Sequence, residues 1–327
     1  RVAAFINRRK AFTFQQPTGG MGFFECIEDE EAARLLFEAC RLWLEEKEMQ
    51  AMDGPINFGE NDNFWGLLVE GFMPQSFGMN YNPPYYRELF NGYGFKPFFE
   101  QESKHLDLTR PFPERFWTIA KWVMRKPGYS FEHIRKKNFE KYAADIVSIY
   151  NSAWIYHEHF SPLDISKVRK GLKEYSFFMV EEFIWFAYYD SKPIGFLIMI
   201  PDVNQIFRLF NGKLNLMNKL RFLLLKKSKI INRSRVTIMG VIPEFQGMGV
   251  ESAILWHLNE SILNKWPHIK EIEISWVGDF NPKMKATLEA MEANPGKRHI
   301  TYRKIFEKRS SFRRATEIPE NKKRILN

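Results

Sequence analysis

The stretch with the most chemical promise is Gln246-Gly247-Met248-Gly249. It follows a β-branched apolar run over 236–242 and precedes Ala253, Ile254, Leu255, Leu258 and Ile262 at helical spacing. Strand, glycine turn and helix in that order make an anion trap. The unpaired amides at a helix start carry partial positive charge, and glycines let a backbone approach a diphosphate closely. The plain alternative is a turn that needs glycine only for its dihedrals. Asp202, Asn204 and Gln205 leave an apolar run over 194–200, where amide and carboxylate groups could grasp a substrate. Turn chemistry alone also favours those residues. His157 and His159 lack a third partner at ligand spacing, so they are expected in a loop and no metal is expected.

Several elements must position these groups. Strands are expected over 1–7, 19–27, 65–69 and 95–108. A long helix over 29–49 is expected to be capped by Asp29, with Ala32, Leu35, Leu36, Ala39, Leu42 and Trp43 on its apolar side. Asn82-Pro83-Pro84-Tyr85-Tyr86 opens another helix. Residues 110–133, with Pro111, Pro113 and Pro127, read as a linker around a short helix, 116–123. Then come helices over 139–150 and 165–174 and a hairpin of 182–189 with 193–200. An amphipathic helix over 214–227 is inserted before the 236–242 strand. The chain finishes with a helix over 250–263, a strand over 271–277, a helix over 281–292 and a strand over 298–306. The two halves repeat weakly, each with an Asn-led helix between short strands.

Gln246-Gly247-Met248-Gly249 resembles the acyl-CoA loop of the GNAT superfamily of acyltransferases, Q/R-x-x-G-x-G/A. Gln246 and Gly249 fit it, whereas Glu251 stands where the family prefers glycine or alanine. Asn151-x-Ala153-Trp154, Pro201-Asp202-x-Asn204-Gln205, Glu273-x-Ser275-Trp276 and Gly66-Leu67-Leu68-x-Glu70-Gly71-Phe72 are similar to a group of bacterial tandem GNAT-like proteins. The resemblance implies an α/β fold, with mixed sheets and two tandem GNAT-like domains. The first domain, 1–109, is incomplete at its start, 110–133 links it to the second, 134–308, and 309–327 form a basic tail. Arg1 with Val-Ala-Ala-Phe-Ile reads as a strand already under way, so upstream residues are expected. The first copy carries Ile27-Glu28-Asp29-Glu30-Glu31 where a phosphate loop belongs, and acids there repel a diphosphate.

The resemblance also assigns roles. Backbone groups of Met239, Gly240 and Val241 would pair with pantetheine, while Gln246, Gly247, Met248, Gly249 and Val250 would hold the pyrophosphate. Asn281 would contact the cofactor, which is acetyl-CoA or a longer acyl-CoA used as cosubstrate. Glu273, one strand over from the thioester, is the candidate general base, with an exposed strand carboxylate as its alternative. The general-acid tyrosine of the family would fall at or next to Leu288, and none of residues 281–292 is tyrosine. Tyr302 could substitute for it or be a packed strand tyrosine. Asp202, Asn204, Gln205 and Trp276 are the candidate substrate contacts, although Trp276 is also expected in the core with Trp154 and Trp185. The reading is an acyl-CoA-dependent N-acyltransferase acting on a small-molecule amine. A non-catalytic GNAT scaffold and an aminoacyl-tRNA-dependent transferase stand as alternatives.

Composition bounds these readings. The 327 residues, 45% hydrophobic and 27% charged, suit two globular domains. Two cysteines, Cys26 and Cys40, are too few for a disulfide framework and point to a reducing cytoplasm. No apolar run is long enough for a membrane span. The net charge of +9 is scattered between acidic segments, which argues against nucleic acid and for a polyanionic cofactor. Thirty-one phenylalanines leave room for a long acyl chain.

Overall fold

The computed structural model describes residues 1–8, 10–14, 16–59, 65–155, 162–278, 281–307 and 312–315. His157 and His159 lie outside them. In chain order the elements are β1 (Ala3–Phe5), β2 (Thr18–Gly22), α1 (Glu30–Glu45), β3 (Ala51–Gly54), β4 (Leu67–Glu70), α2 (Tyr86–Tyr93), β5 (Lys96–Asp107) and α3 (Glu114–Met124). They continue with β6 (Tyr129–His133), α4 (Phe139–Ala153), α5 (Ile165–Tyr175), β7 (Ile184–Tyr189), β8 (Lys192–Pro201), α6 (Asn204–Phe207) and α7 (Leu216–Lys227). The last are β9 (Arg233–Val241), α8 (Val250–Lys265), β10 (Glu271–Gly278), α9 (Pro282–Ala290) and β11 (Asn294–Ile305). The fold is mixed α/β with mostly antiparallel pairing. Two compact units divide it. One holds Arg1–Ser103, Trp276–Pro282 and the described residues from Pro295 onward, and the other holds Lys104–Ser275 and Lys283–Asn294.

In the first unit β2 pairs antiparallel with β1 and parallel with β3, and β11 runs antiparallel to both β3 and β4. The strand from the far end of the chain therefore completes the sheet begun by the N-terminal residues. Asp29 caps α1 as expected, its carboxylate accepting from the Ala32 amide at 2.7 Å. The buried side of α1 is not the expected one. Ala33, Phe37, Cys40 and Leu44 face the core, and Leu35, Leu42 and Trp43 face solvent. The reason is aromatic packing: Phe37 meets Phe24 and Phe90 at ring distances of 4.9 and 4.8 Å, so its stripe outcompetes the leucine stripe. Gly94, at φ +87°, ends α2 in the left-handed conformation that glycine adopts freely. Asn82 was expected only to open α2. Its buried amide instead bonds both the N–H and the C=O of Leu68, standing in for a neighbouring strand beside β4.

Glu38 on α1 accepts from Arg41 Nε at 3.0 Å and from the Tyr93 hydroxyl at 2.6 Å. Those bonds, Arg41 first, pull its carboxyl down to about 2 from 4.5. A carboxyl whose folded-state pKa is depressed gives stability that is fully present above the unfolded value and is lost as pH falls through the window from 4.5 towards 2. Glu38→Gln is expected to lower stability at pH 7 and to flatten the fall across that window, as read from urea midpoints in a pH series. An unchanged acid limb would contradict the pairing.

The second unit carries β6, β7, β8 and β9 in antiparallel succession, with β10 parallel to β9. Alternation on β7 separates its two faces. Ile184, Phe186 and Tyr188 pack with Tyr142 and Ile146 of α4, whereas Trp185 stacks on His257 of α8 at 5.0 Å. Outside α8 lies α3, through Ala120, Val123 and Ala253 and an edge contact of Trp117 with Trp256 at 5.1 Å. The run expected to be a linker thus includes α3 and the strand β6. β6 escapes periodicity because its residues, Tyr129 to His133, are only half-buried or exposed at the sheet's edge.

Between β8 and β9 the chain makes a detour through α6 and α7. Its base is stapled by Arg233, whose Nε and Nη2 donate to Asp202 at 3.0 and 2.7 Å, and by an exchange of amide hydrogen bonds between Gln205 and Asn232. Among the described residues no helix is long and apolar enough to cross a membrane.

Candidate functional site

The site grows from an irregularity in β9. Ile198 of β8 faces Ile238, but the next residue, Met199, faces Val236, so Thr237 is an extra residue on β9. Its hydroxyl donates to the Ile198 carbonyl at 3.1 Å. A bulge of this kind bends its strand and raises the local twist. The ladder between β9 and β10 runs from Arg233↔Glu271 to Val236↔Ile274 and stops there, at the bulge. Thr237, Ile238 and Met239 are half-buried although they lie mid-strand. Backbone from 238 to 241 therefore continues paired to β8, beyond the bulge at Thr237 and outside the β10 ladder, the arrangement in which an extended ligand can dock along a strand edge. Met239, Gly240 and Val241 all fall in this segment. Gly240 is required on its other side. A Cβ there would come within 2.4 Å of the Trp154 ring, which stacks on Tyr150 at 4.6 Å.

From Val241 the chain turns through a 3-10 segment, Pro243–Phe245, into α8. Gln246 folds back so that its Nε2 donates to the Val241 carbonyl at 2.9 Å, tying the turn to the strand. Gly247 and Gly249 have φ of +74° and +86°, so both glycines answer to backbone geometry. They differ in surroundings. A Cβ at Gly249 would sit 2.5 Å from Ile119 of α3, while one at Gly247 would meet nothing within 4 Å. Val250 is fully buried and Met248 is exposed, so the turn shows its 247–248 side to solvent and anchors its 249–250 side.

Glu251 occupies the first turn of α8, where the helix dipole favours an anion. Burial pushes its carboxyl above the usual range, and hydrogen bonds from its own amide and that of Gly247 oppose the rise. The side chain thus lies close to an amide that a diphosphate would use. The departure at this position, legible in the sequence, sets a carboxyl beside the turn.

One residue before the ladder stops, Glu273 lies opposite Arg235, both deeply buried. The alternative of an exposed strand carboxylate is thereby overturned, since Glu273 is 0% exposed. Arg235 donates from Nε to the Ser275 hydroxyl at 3.1 Å, and burial pulls its guanidinium down to about 10 although Glu273 opposes the fall. His105, which the sequence reading passed over, comes from β5. Its Nε2 lies 3.9 Å from Glu273, and its Nδ1 bonds Glu271. The His105 bond is the main cause holding the Glu271 carboxyl below its ordinary value. Glu271 opens on a cavity of about 290 Å³ lined by His105, Asp107, Lys270, Glu271 and Asn294. The three groups line up from a buried carboxylate, through an imidazole whose Nε2 makes no hydrogen bond among the described residues, to a carboxylate in contact with solvent. The only local signal was that His105 sits between Lys104 and Leu106 in a run rich in charge, which does not by itself mark a buried group.

Other expected site residues lie elsewhere. Asp202 is fully buried against Arg233, and Asn204 donates its amide to Asp202 at 3.2 Å. With Gln205 bonded to Asn232, these residues secure the detour and do not present a substrate grip. Tyr302 is 1% exposed and packs on Phe90 at 5.7 Å in the first unit's core, where burial raises its hydroxyl. Trp276 and Asn281 belong to the first unit, and the Asn281 amide donates to Gly278 at 3.0 Å just before α9. Leu288, in the stretch where the resemblance implies a general-acid tyrosine, is buried. No group of histidine, cysteine and carboxylate ligands suited to a metal occurs among the described residues.

No family model matches the chain. It is 25% identical over 316 residues to Protein YghO of Escherichia coli, covering 93% of this chain and 78% of that one. It is also 25% identical over 304 residues to the bacterial ceramide synthase of Caulobacter vibrioides, covering 90% and 77%. Among solved structures it superposes on a tandem GNAT protein from the clavulanic acid biosynthesis pathway with TM-score 0.50 and 12% identity, covering 89% of this chain and 76% of that one. A GCN5-related N-acetyltransferase from Sphaerobacter thermophilus gives 0.51 and 10%, covering 93% and 76%. The chain has a GNAT-superfamily fold of the tandem kind.

Proposed function

We propose that the chain is an N-acyltransferase that moves an acyl group from a CoA thioester to an amine, with the second unit as the cofactor-binding copy. The observation that carries this reading is the coincidence at Thr237: the β9 bulge, the end of the β10 ladder and the glycine turn that follows lie in one run. Amides from 237 to 241 take the pantetheine, and those of 247 to 250 take the diphosphate. Glu273 removes a proton from the ammonium of the acceptor, and His105 and Glu271 pass it to solvent. The freed amine nitrogen attacks the thioester carbonyl carbon, the tetrahedral intermediate collapses with cleavage of the C–S bond, the nitrogen gives its second proton to solvent, and the departing thiolate takes up a proton from solvent. The likeness to a protein named a ceramide synthase favours a long-chain amine as acceptor and a fatty acyl donor over acetyl-CoA.

A second reading, a binding protein that kept the scaffold without the chemistry, draws on the Glu251 carboxyl close to the Gly247 amide and on the absence of a tyrosine from residues 281–292. Thiol release from acetyl-CoA and from long-chain acyl-CoA, measured over a panel of short and long amines, separates the two. Amine-dependent release is expected with the long-chain pairs. CoA binding without release over the whole panel would establish the second reading.

A further inference from the structure

The α6–α7 detour presents a surface that the transfer chemistry leaves unused. On α7, Phe222 is the residue turned inward, 3% exposed and stacked on Phe177 and Phe207. At 100° per residue, Leu216, Met217, Leu220, Leu223 and Leu224 fall on the opposite side of the helix. Leu216, Met217 and Leu224 are 74%, 71% and 72% exposed, and Leu220 is 54% exposed. Core-facing helices bury such residues, and an apolar face left open on a surface marks an interaction site. Within its own segment the charge has one sign. Lys213, Lys219, Arg221, Lys227 and Lys229 flank the face, and residues 203–243 contain no aspartate or glutamate.

We propose that α7 docks the protein on an anionic lipid bilayer, lying in the plane of the headgroups with its leucine face in the acyl boundary. Charge complementarity selects this occupant. A lysine-flanked apolar helix gains both from burying its leucines and from the negative surface potential of acidic phospholipids. A second copy of the same basic face would bring like charges together. The buried Arg233–Asp202 pair and the Gln205–Asn232 exchange hold the base of the detour, so the helix is presented by a fixed support. The inference does not depend on the acyl-transfer reading, because it uses none of the residues assigned to that chemistry.

Co-sedimentation of the purified chain with two vesicle preparations tests it. One is phosphatidylcholine alone, and the other contains about one third phosphatidylglycerol. Binding is expected to the anionic vesicles, falling as salt is raised, and weak to phosphatidylcholine. Leu220→Glu with Leu224→Glu is expected to weaken it by at least about tenfold, and Lys219→Glu with Lys227→Glu by a similar factor. All four side chains are partly or fully exposed, so these variants leave the core intact. Absence of binding to the anionic vesicles, or equal binding to both preparations, would overturn the proposal. So would a solution dimer that the leucine variants disperse and that binds no vesicle, which would give the face to a second copy of the chain.

Discussion

Glu273→Gln is expected to lower kcat by about two to four orders of magnitude, the usual contribution of a positioned general base. The amide matches the carboxylate in shape, so packing under β9 and β10 is kept while the proton acceptor is removed. One complication is specific to this site. Arg235, already pulled down to about 10 by burial, loses the carboxylate that opposes the fall, and an unmatched buried cation destabilises the fold. The double variant Glu273→Gln/Arg235→Gln separates the effects. It is expected to recover the urea midpoint and not the rate. Glu271→Gln should cost less, because Glu271 only connects the imidazole to the cavity, and its signature is a changed pH–rate profile with KM unaltered. A full-rate Glu273→Gln enzyme would remove the proton file from the mechanism.

Replacing Gly247 by aspartate is expected to weaken CoA binding by about ten- to a hundredfold, while Glu251→Gln strengthens it by about tenfold. The two changes act on one amide from opposite directions. Gly247 has positive φ, which aspartate tolerates better than most residues, and open space where the new side chain would start. Its carboxylate would face a diphosphate at close range. Gly247→Asn is the uncharged control and should bind nearly as the wild type does. Gly249 is a poor place for the same test, since any Cβ there strikes Ile119 of α3 and binding would be lost through misfolding of the turn. Glu251→Gln removes the like charge beside the Gly247 amide. The pH dependence follows from the raised carboxyl of Glu251. A bound diphosphate raises it further, so the bound state takes up a proton and wild-type affinity increases as pH falls towards the carboxyl's range. Calorimetry at descending pH should show that gain in the wild type and lose the Glu251 contribution in Glu251→Gln.

The sequence carried the elements around the turn well because their signals are local. Glycines at positive φ, a proline after a β-branched run and a helix period starting at Val250 each leave a mark within a few residues. α7 was legible for the same reason. The side of α1 that faces the core was not. Two apolar stripes compete on that helix, and the choice belongs to Phe24 and Phe90, which arrive from distant segments. The bulge at Thr237 leaves no composition signal, since it is defined only by the register of β8 against β9. His105 was missed because its partners are 166 positions away at Glu271 and further at Glu273. Asp202 was misjudged for the converse reason. A polar residue at a strand end suits a ligand or an ion pair equally, and only the fold brings Arg233 to it.

The claim on which the account rests is that CoA lies along β9 beyond Thr237 and ends its diphosphate at the turn before α8. Amide hydrogen exchange of the wild-type protein, with and without saturating CoA, examines those backbone groups directly. Protection is expected to concentrate in peptides covering 237–241 and 246–252. CoA that binds and protects other segments while leaving both of these unchanged would contradict this placement.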